Sequence, residues 1–436
     1  MKRGHVGCER RAKVTRLVSG ASLLLLLLGV CASTQAQTQA EDQAHATGLA
    51  ELLREVRARS PTREAAHLRL NAAHNELAGA GRPGDPMISI ETDGWGSAQE
   101  GGERMIRYSL EQPIPIPGSL RAEERVAEAG IDRATSALQT ALRALELETI
   151  RAYAMLWQVQ GELAVVQSQR ALLEDLAGTA LARMRAGADA HHDVIQAQVQ
   201  GLALQNRATV LESERVSAAA MLNALRNRPL STPVVAVGLG LPDSLADERT
   251  LLRRGLRDRP ELLSMRAMAR EERAMAGLMR IDSWPMLRAG IWYTQDLDMP
   301  DSVGVMFAAT VPIFGAPRGL ARADAAAARA GAADQDRARM EAMIYAEVHG
   351  ARARYAAAVE RLSLLRDVAL PRAEEALLAS QTSYRAGMMS FASLIQDRQM
   401  LAELRMELIG AQAARLIAWG DLLHAIGADI TAEVPR

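Results

Sequence analysis

Two periodicities alternate along the chain. Over residues 87–95, Ile88, Ile90 and Thr92 interleave with Ser89, Glu91 and Asp93, and a little later Ile106, Tyr108 and Leu110 interleave with Arg107, Ser109 and Glu111. A period of two places one set on each face of a strand, so these segments predict a pair of strands, spanning 86–112. The pattern returns over 285–311. There Leu287, Ala289, Ile291 and Tyr293 alternate with Arg288, Gly290, Trp292 and Thr294, and Val303, Val305, Phe307, Ala309 and Val311 alternate with Gly304, Met306, Ala308 and Thr310. Trp292 blurs this second pattern by setting a large ring among the polar positions.

The rest is helical in character. Residues 119–186 and 318–386 are rich in Ala, Arg, Glu and Leu and contain one proline between them, Pro371. A continuous helix over 119–186 extends roughly 100 Å at 1.5 Å per residue. A helix of that length needs neighbours along its whole course, as in coiled coils or stacked barrels, and a high alanine content permits close backbone approach. Shorter helical runs precede the strands at 49–80 and 260–281.

The order of elements is the same in both halves. Arg185-Ala186-Gly187 recurs as Arg385-Ala386-Gly387, Ile195-Gln196 as Ile395-Gln396, and Pro61, Pro86 and Pro113 as Pro260, Pro285 and Pro312, at offsets of 199 or 200 residues. The chain therefore divides into a first repeat (37–226), a linker (227–250), a second repeat (251–427) and a tail (428–436). Each repeat has a helix, a strand pair, a long helix (119–186; 318–386), a glycine-marked turn (187–191; 387–390) and a return helix. The strands end in related phrases, QPIPIPG and VPIFG. Pro113, Pro115 and Pro117 supply rigid, donor-poor backbone and Gly118 a hinge, with Pro312 and Gly315 in the second copy.

Composition changes the picture at the N-terminus. Lys2, Arg3, Arg10, Arg11, Lys13 and Arg16 precede an apolar run at 23–28, and Thr34-Gln35-Ala36 is a small-residue cleavage site, so residues 1–36 form an export signal. An alternative start is a lipidated Cys31 after Leu28-Gly29-Val30. Without the signal the chain carries 45 basic against 51 acidic residues, all the basic ones Arg. This acidic balance argues against a nucleic-acid binder.

No later segment has the 18 apolar residues of a membrane helix. The strand segments, nine to eleven residues long and apolar on one face, match the strands of a membrane β-barrel, although a soluble β-sandwich alternates in the same way. Seven of the chain's aromatic residues, Trp95, Tyr108, Trp284, Trp292, Tyr293, Phe307 and Phe314, lie in or beside the strand pairs, as interfacial girdles require. Four strands cannot close a barrel and open edges are not tolerated in lipid, so several chains must share one.

With these features in this order, the chain resembles the TolC-like outer membrane factors. The resemblance rests on the duplication, QPIPIPG and VPIFG, Arg-Asp-Arg-Pro-Glu-Leu at 257–262, and the turns RAGADAHHDVIQAQ and SYRAGMMSFASLIQDR. It implies a mainly α homotrimer with a shared twelve-strand β-barrel in the outer membrane and a long α-helical barrel in the periplasm. Ser119 and Arg318 then begin helices descending from the membrane, Gly187 and Gly387 turn the chain at the tips, and residues 227–248 join both termini in an equatorial belt. The implied function is a passive duct serving a periplasmic adaptor and an inner-membrane resistance-nodulation-division (RND) pump for heavy-metal cations or drugs. Type I protein secretion uses the same kind of duct. A reading from another class is a periplasmic coiled-coil scaffold without a channel.

The resemblance also implies a gate of carboxylates just after the tip turns. Asp193 holds that place in the first copy; the second has Ser393 there and Asp397 four residues on. Gly187, His191, His192, Gly387, Met388 and Met389 are candidates for adaptor contact. His191, His192 and Asp193 also admit a metal reading, but adjacent side chains on a helix diverge by about 100° and no further local ligand is evident. Met265, Met268, Met275 and Met279 share one helical stripe and are expected to form a core face. No nucleophile–base pair, phosphate loop or dinucleotide fingerprint is present, so neither catalysis nor a cofactor is expected.

Overall fold

The structure, a computed structural model, describes residues 45–93, 105–185, 191–238, 241, 246–296 and 300–433. The expected signal segment with Cys31, and the first tip turn with Gly187, lie outside the described residues.

The first repeat opens with a short strand, β1 (His45–Thr47), and two helices, α1 (Leu49–Arg59) and α2 (Pro61–Gly79), where one run over 49–80 was expected. The break is local chemistry. Ser60 accepts a hydrogen bond from the Thr62 N–H and Pro61 takes the first helical position, where its missing N–H costs nothing. The second repeat breaks at the equivalent proline, between α5 (Glu248–Asp258) and α6 (Pro260–Ile281), but Arg259 before it makes no side-chain cap; Asp247 caps the start of α5 through the Thr250 N–H.

Strands β2 (Met87–Asp93) and β3 (Met105–Ile114) come from the first repeat, and β5 (Leu287–Asp296) and β6 (Ser302–Ala309) from the second. They form one antiparallel sheet in the order β2-β3-β5-β6, leaving β2 and β6 as edges without a partner strand among the described residues. The remaining strand, β4 (Val234–Ala236), pairs in parallel with β1.

Helix α3 (Ser119–Arg185) is continuous for 67 residues. Its counterpart departs from expectation. Helix α7 (Gly315–Leu364) starts three residues before Arg318 and gives way to a π-helical turn, Leu365–Ala369, before α8 (Leu370–Arg385). Pro371 explains the interruption. Its ring would press on the Asp367 carbonyl one α-turn back and it has no N–H to offer, and the wider turn relieves both problems. The return helices are α4 (His191–Leu225) and α9 (Phe391–Ala425), and a single turn, α10 (Ile430–Glu433), follows.

The helices extend the sheet order into a wall. In the half nearest the strands the neighbours run α2-α3-α6-α7; in the other half α3 packs on α4 and α9, and α9 on α7 and α8. Alanines fill the seams, including Ala323, Ala326, Ala330 and Ala333 of α7 and Ala267, Ala269 and Ala276 of α6. This corrects the expectation for the methionine stripe. Met268 is exposed and Met265, Met275 and Met279 only half-buried, because the seams beside α6 are close enough to take alanine.

The main core lies mid-wall. Ile150, Tyr153 and Leu156 of α3 meet Ile344 and Tyr355 of α7, Leu416 and Leu422 of α9, and Leu52 and Leu53 of α1. The Tyr153 hydroxyl accepts from the Val237 N–H at 3.0 Å, fastening the inter-repeat linker to α3. Beside it runs an ion network. Arg143 reaches Glu146 at 2.8 Å and Asp429 at 3.2 Å, and Arg57 reaches Asp429 at 3.1 Å. Burial alone would push Asp429 up, but hydrogen bonds from Thr431, Arg57 and Arg143 outweigh it and hold its carboxyl well below the usual carboxylate range. Glu55 is likewise held down by Arg228 and Arg226 against its burial.

Both return helices end in the same left-handed turn. After α4 the Asn227 and Arg228 N–H groups bond to the Ala224 and Asn223 carbonyls; after α9 those of Gly427 and Ala428 bond to His424 and Leu423. Asn227 has φ 53° and Gly427 φ 66°. The second site admits only glycine, since a Cβ there would lie 2.7 Å from the Arg259 Cα.

Candidate channel wall, junction and periplasmic tip

The strand register sorts side chains into rows. Ile88, Leu110, Ile291 and Val305 lie abreast on one face, as do Ile90, Tyr108, Tyr293 and Val303. On the opposite face Ser89, Ser109, Trp292 and Gly304 form one row and Glu91, Arg107, Thr294 and Ser302 the next. The apolar face is bare: Ile88 is 74% exposed, Val305 71% and Phe307 81%. Among the described residues no second sheet covers it, which a sandwich would require. A continuous apolar surface of this kind seeks lipid or another protein.

Trp292 belongs to the polar face, and the structure shows how it is accommodated. Its ring lies across Gly304, where a Cβ would come within 2.3 Å of the indole. The Arg107 guanidinium sits 5.5 Å from the ring centre, a cation–π contact. Ser89 and Ser109 share a 2.6 Å hydrogen bond beside it. This face is hydrogen-bonding and charged, suited to water.

At the junction the two copies use different means. Pro113 remains within β3, opposite Arg288, while Pro115 and Pro117 follow the strand. The chain then turns through Gly118 at φ 90°, and Ser119 starts α3. In the second copy no residue needs a positive φ. The Ala316 N–H bonds back to the Pro312 carbonyl, and Gly315 is simply the first residue of α7.

At the opposite end, Gly387 (φ 76°) closes α8, with its N–H on the Tyr384 carbonyl and the Met388 N–H on that of Ser383. Met388 is 78% exposed, whereas Met389 is half-buried against a small core of Leu173, Ala197, Tyr384, Phe391, Leu394 and Ile395. That core ties the tips of α3, α4, α8 and α9 together. His191 and His192 are exposed, and Asp193 sits half-buried in the first turn of α4, where the helix dipole favours its charge.

The second copy employs its polar residues differently. Ser390 caps α9 by accepting from the Ser393 N–H at 3.2 Å, and the two hydroxyls lie 2.9 Å apart, so Ser393 completes a cap. Asp397 accepts a hydrogen bond from Ser380, joining α9 to α8. The structure therefore does not draw Asp193 and Asp397 into one cluster within the chain. Sequence reading missed the Trp292–Gly304 pair, although a hairpin with 294 opposite 302 necessarily pairs 292 with 304. It also missed the network of Arg143, Glu146 and Asp429: the first two are three residues apart on α3, but no local pattern links them to Asp429.

A family model described as "Outer membrane efflux protein" matches the chain twice, over residues 52–228 and 251–428, one match in each repeat. Among solved structures, the outer membrane protein VceC of Vibrio cholerae is similar over 87% of this chain and 96% of its own, at 18% identity and a TM-score of 0.73. The open-state MtrE outer membrane channel of Neisseria gonorrhoeae gives 17%, 0.72, and 87% and 89% of the two chains. The CmeC outer membrane channel of Campylobacter jejuni gives 14%, 0.71, and 88% of each. A comparison with curated protein sequences gives no match.

Proposed function

This chain belongs to the outer membrane efflux protein family, and on that premise we propose that three copies build one passive, water-filled exit duct across the outer membrane and into the periplasm. The observation that carries the reading is the four-stranded sheet, apolar on one face, polar on the other and open at both edges. Lipid tolerates no open edge, and joining β2 of each chain to β6 of the next gives twelve strands. The helical wall supports the same assembly. Ile195, Val199, Leu202, Val210, Val216 and Met221 are exposed along one side of α4, the free edge of the wall, where a neighbouring chain would cover them.

The duct works with a periplasmic adaptor at its tips and an inner-membrane RND pump that supplies the energy; its cargo is a heavy-metal cation or a drug. The polar strand face, with Arg107, Glu91, Arg288 and Glu111, lines the water path. Asp193, brought close to its two copies at the tip, narrows the pore and repels anions, with Asp397 as the second carboxylate of the same region. Gly187, His191, His192, Gly387, Met388 and Met389 form the surface that the adaptor meets.

The experiment is complementation. A deletion strain is expected to lose tolerance to a metal or drug and to regain it with the wild-type gene. Asp193→Ala should also restore export but leave the cells leaky to large drugs, and in a planar bilayer it should conduct more and resist cation block. Unchanged conductance together with unchanged block would remove Asp193 from the gate.

A further inference from the structure

A cavity of about 280 Å³ lies between α3, α4 and α9, above the tip core. Its walls include Leu173, Leu204, Ile395 and Met406, with the amides of Gln169 and Gln200. The one cation lining it is Arg398. Its Nε and Nη1 are shut away from solvent and have no hydrogen-bond partner.

Arg398 as a whole is half-buried, and the chain's more deeply buried arginines each hold a carboxylate. Arg143 and Arg226 each hold a carboxylate at 2.8 Å, and Arg259 holds Glu261 at 3.2 Å. Guanidinium nitrogens shut away from water and left without an acceptor cost more than nitrogens that are paired. Burial pushes the Arg398 pKa down, and the charge of Asp175 only partly offsets it. Nearby amides do not fill the gap, for Gln200 already accepts from Gln399 at 3.0 Å. Glu403 stands at the rim and is exposed.

We propose that this cavity binds a small organic monocarboxylate, the carboxylate on the Arg398 guanidinium and the apolar body against Leu173, Leu204, Ile395 and Met406. One cation facing apolar walls suits a single negative charge on an apolar body. A compact dianion such as sulfate would sit uncompensated beside Glu403.

The test uses the purified full-length protein in detergent and hexanoate as probe, with hexanol and inorganic sulfate as comparisons, read by isothermal titration calorimetry. Hexanoate should bind saturably at one site per chain, and hexanol and sulfate on the order of tenfold more weakly or not at all, as loss of one charge-assisted hydrogen bond implies. Arg398→Gln should weaken hexanoate by a similar factor. Ala402→Met, which fills the cavity and keeps the guanidinium, should abolish binding, and serves if R398Q does not fold. Glu403→Gln should bind at least as well as wild type. Absence of saturable hexanoate binding, equal binding by A402M, or sulfate binding as tightly as hexanoate would overturn the proposal.

Discussion

Replacing Val305 by arginine is expected to abolish assembly in the outer membrane, while the same replacement one residue on, at Met306, leaves it largely intact. Val305 lies mid-strand on β6 in the bare row with Ile88, Leu110 and Ile291, whereas Met306 lies on the opposite face beside Gly290. Arginine facing lipid near the bilayer midplane costs about 2–4 kcal/mol. A barrel shared by three chains pays that cost three times, which exceeds much of the stability of an ordinary domain. Arginine at Met306 enters the polar face, where Arg107 and Arg288 already reside. The assay is the amount of detergent-extracted, heat-modifiable oligomer in the outer membrane fraction. Equal behaviour of the two variants would mean that the apolar face does not meet lipid.

The second large effect is expected mid-wall. Arg143→Met removes the closest cation from Glu146, which is only 2% exposed and which also receives the Ile430 N–H at 3.4 Å. Arg57 remains, but at 3.6 Å from Glu146 and shared with Asp429. Removing one member of a buried pair costs about 3–5 kcal/mol because the other charge stays buried, whereas replacing both by apolar residues is close to neutral. Arg143→Met should therefore lower the denaturation midpoint strongly and loosen α10, and Arg143→Met with Glu146→Met should recover most of the loss. A double variant no better than the single one would mean that packing of the arginine stem, and not its charge, holds the C-terminus.

Much of this architecture was legible in the sequence because it rests on periodicity and punctuation. Alternation over four short segments gives the faces of the sheet, and proline at equivalent places in two halves reveals the repeat. The family resemblance supplied what periodicity does not, namely the number of chains and the two barrels. Other features depend on how far apart neighbouring backbones lie. The methionines of α6 form an ideal helical stripe, yet Ala267, Ala269 and Ala276 take the buried seam positions of that stretch, so Met268 is exposed and the other three are half-buried. Pro371 is visible within the long helix, but the structure is needed to show that the chain answers it with a single widened turn, Leu365–Ala369, and continues as helix on both sides. Ser393 reads as a missing carboxylate in sequence and as half of a helix cap in space. Arg143 and Glu146 are an ordinary helical pair three residues apart, and only the fold brings the distant Asp429 and Arg57 to them to complete the network.

The central claim, that the chain forms an open duct through a membrane, is tested most directly by single-channel recording of the purified full-length protein in a planar lipid bilayer. Discrete, uniform conductance steps that appear only when the protein is added are the expected result. A silent bilayer, from protein that stays monomeric and soluble without detergent, would contradict it and leave a periplasmic scaffold in its place.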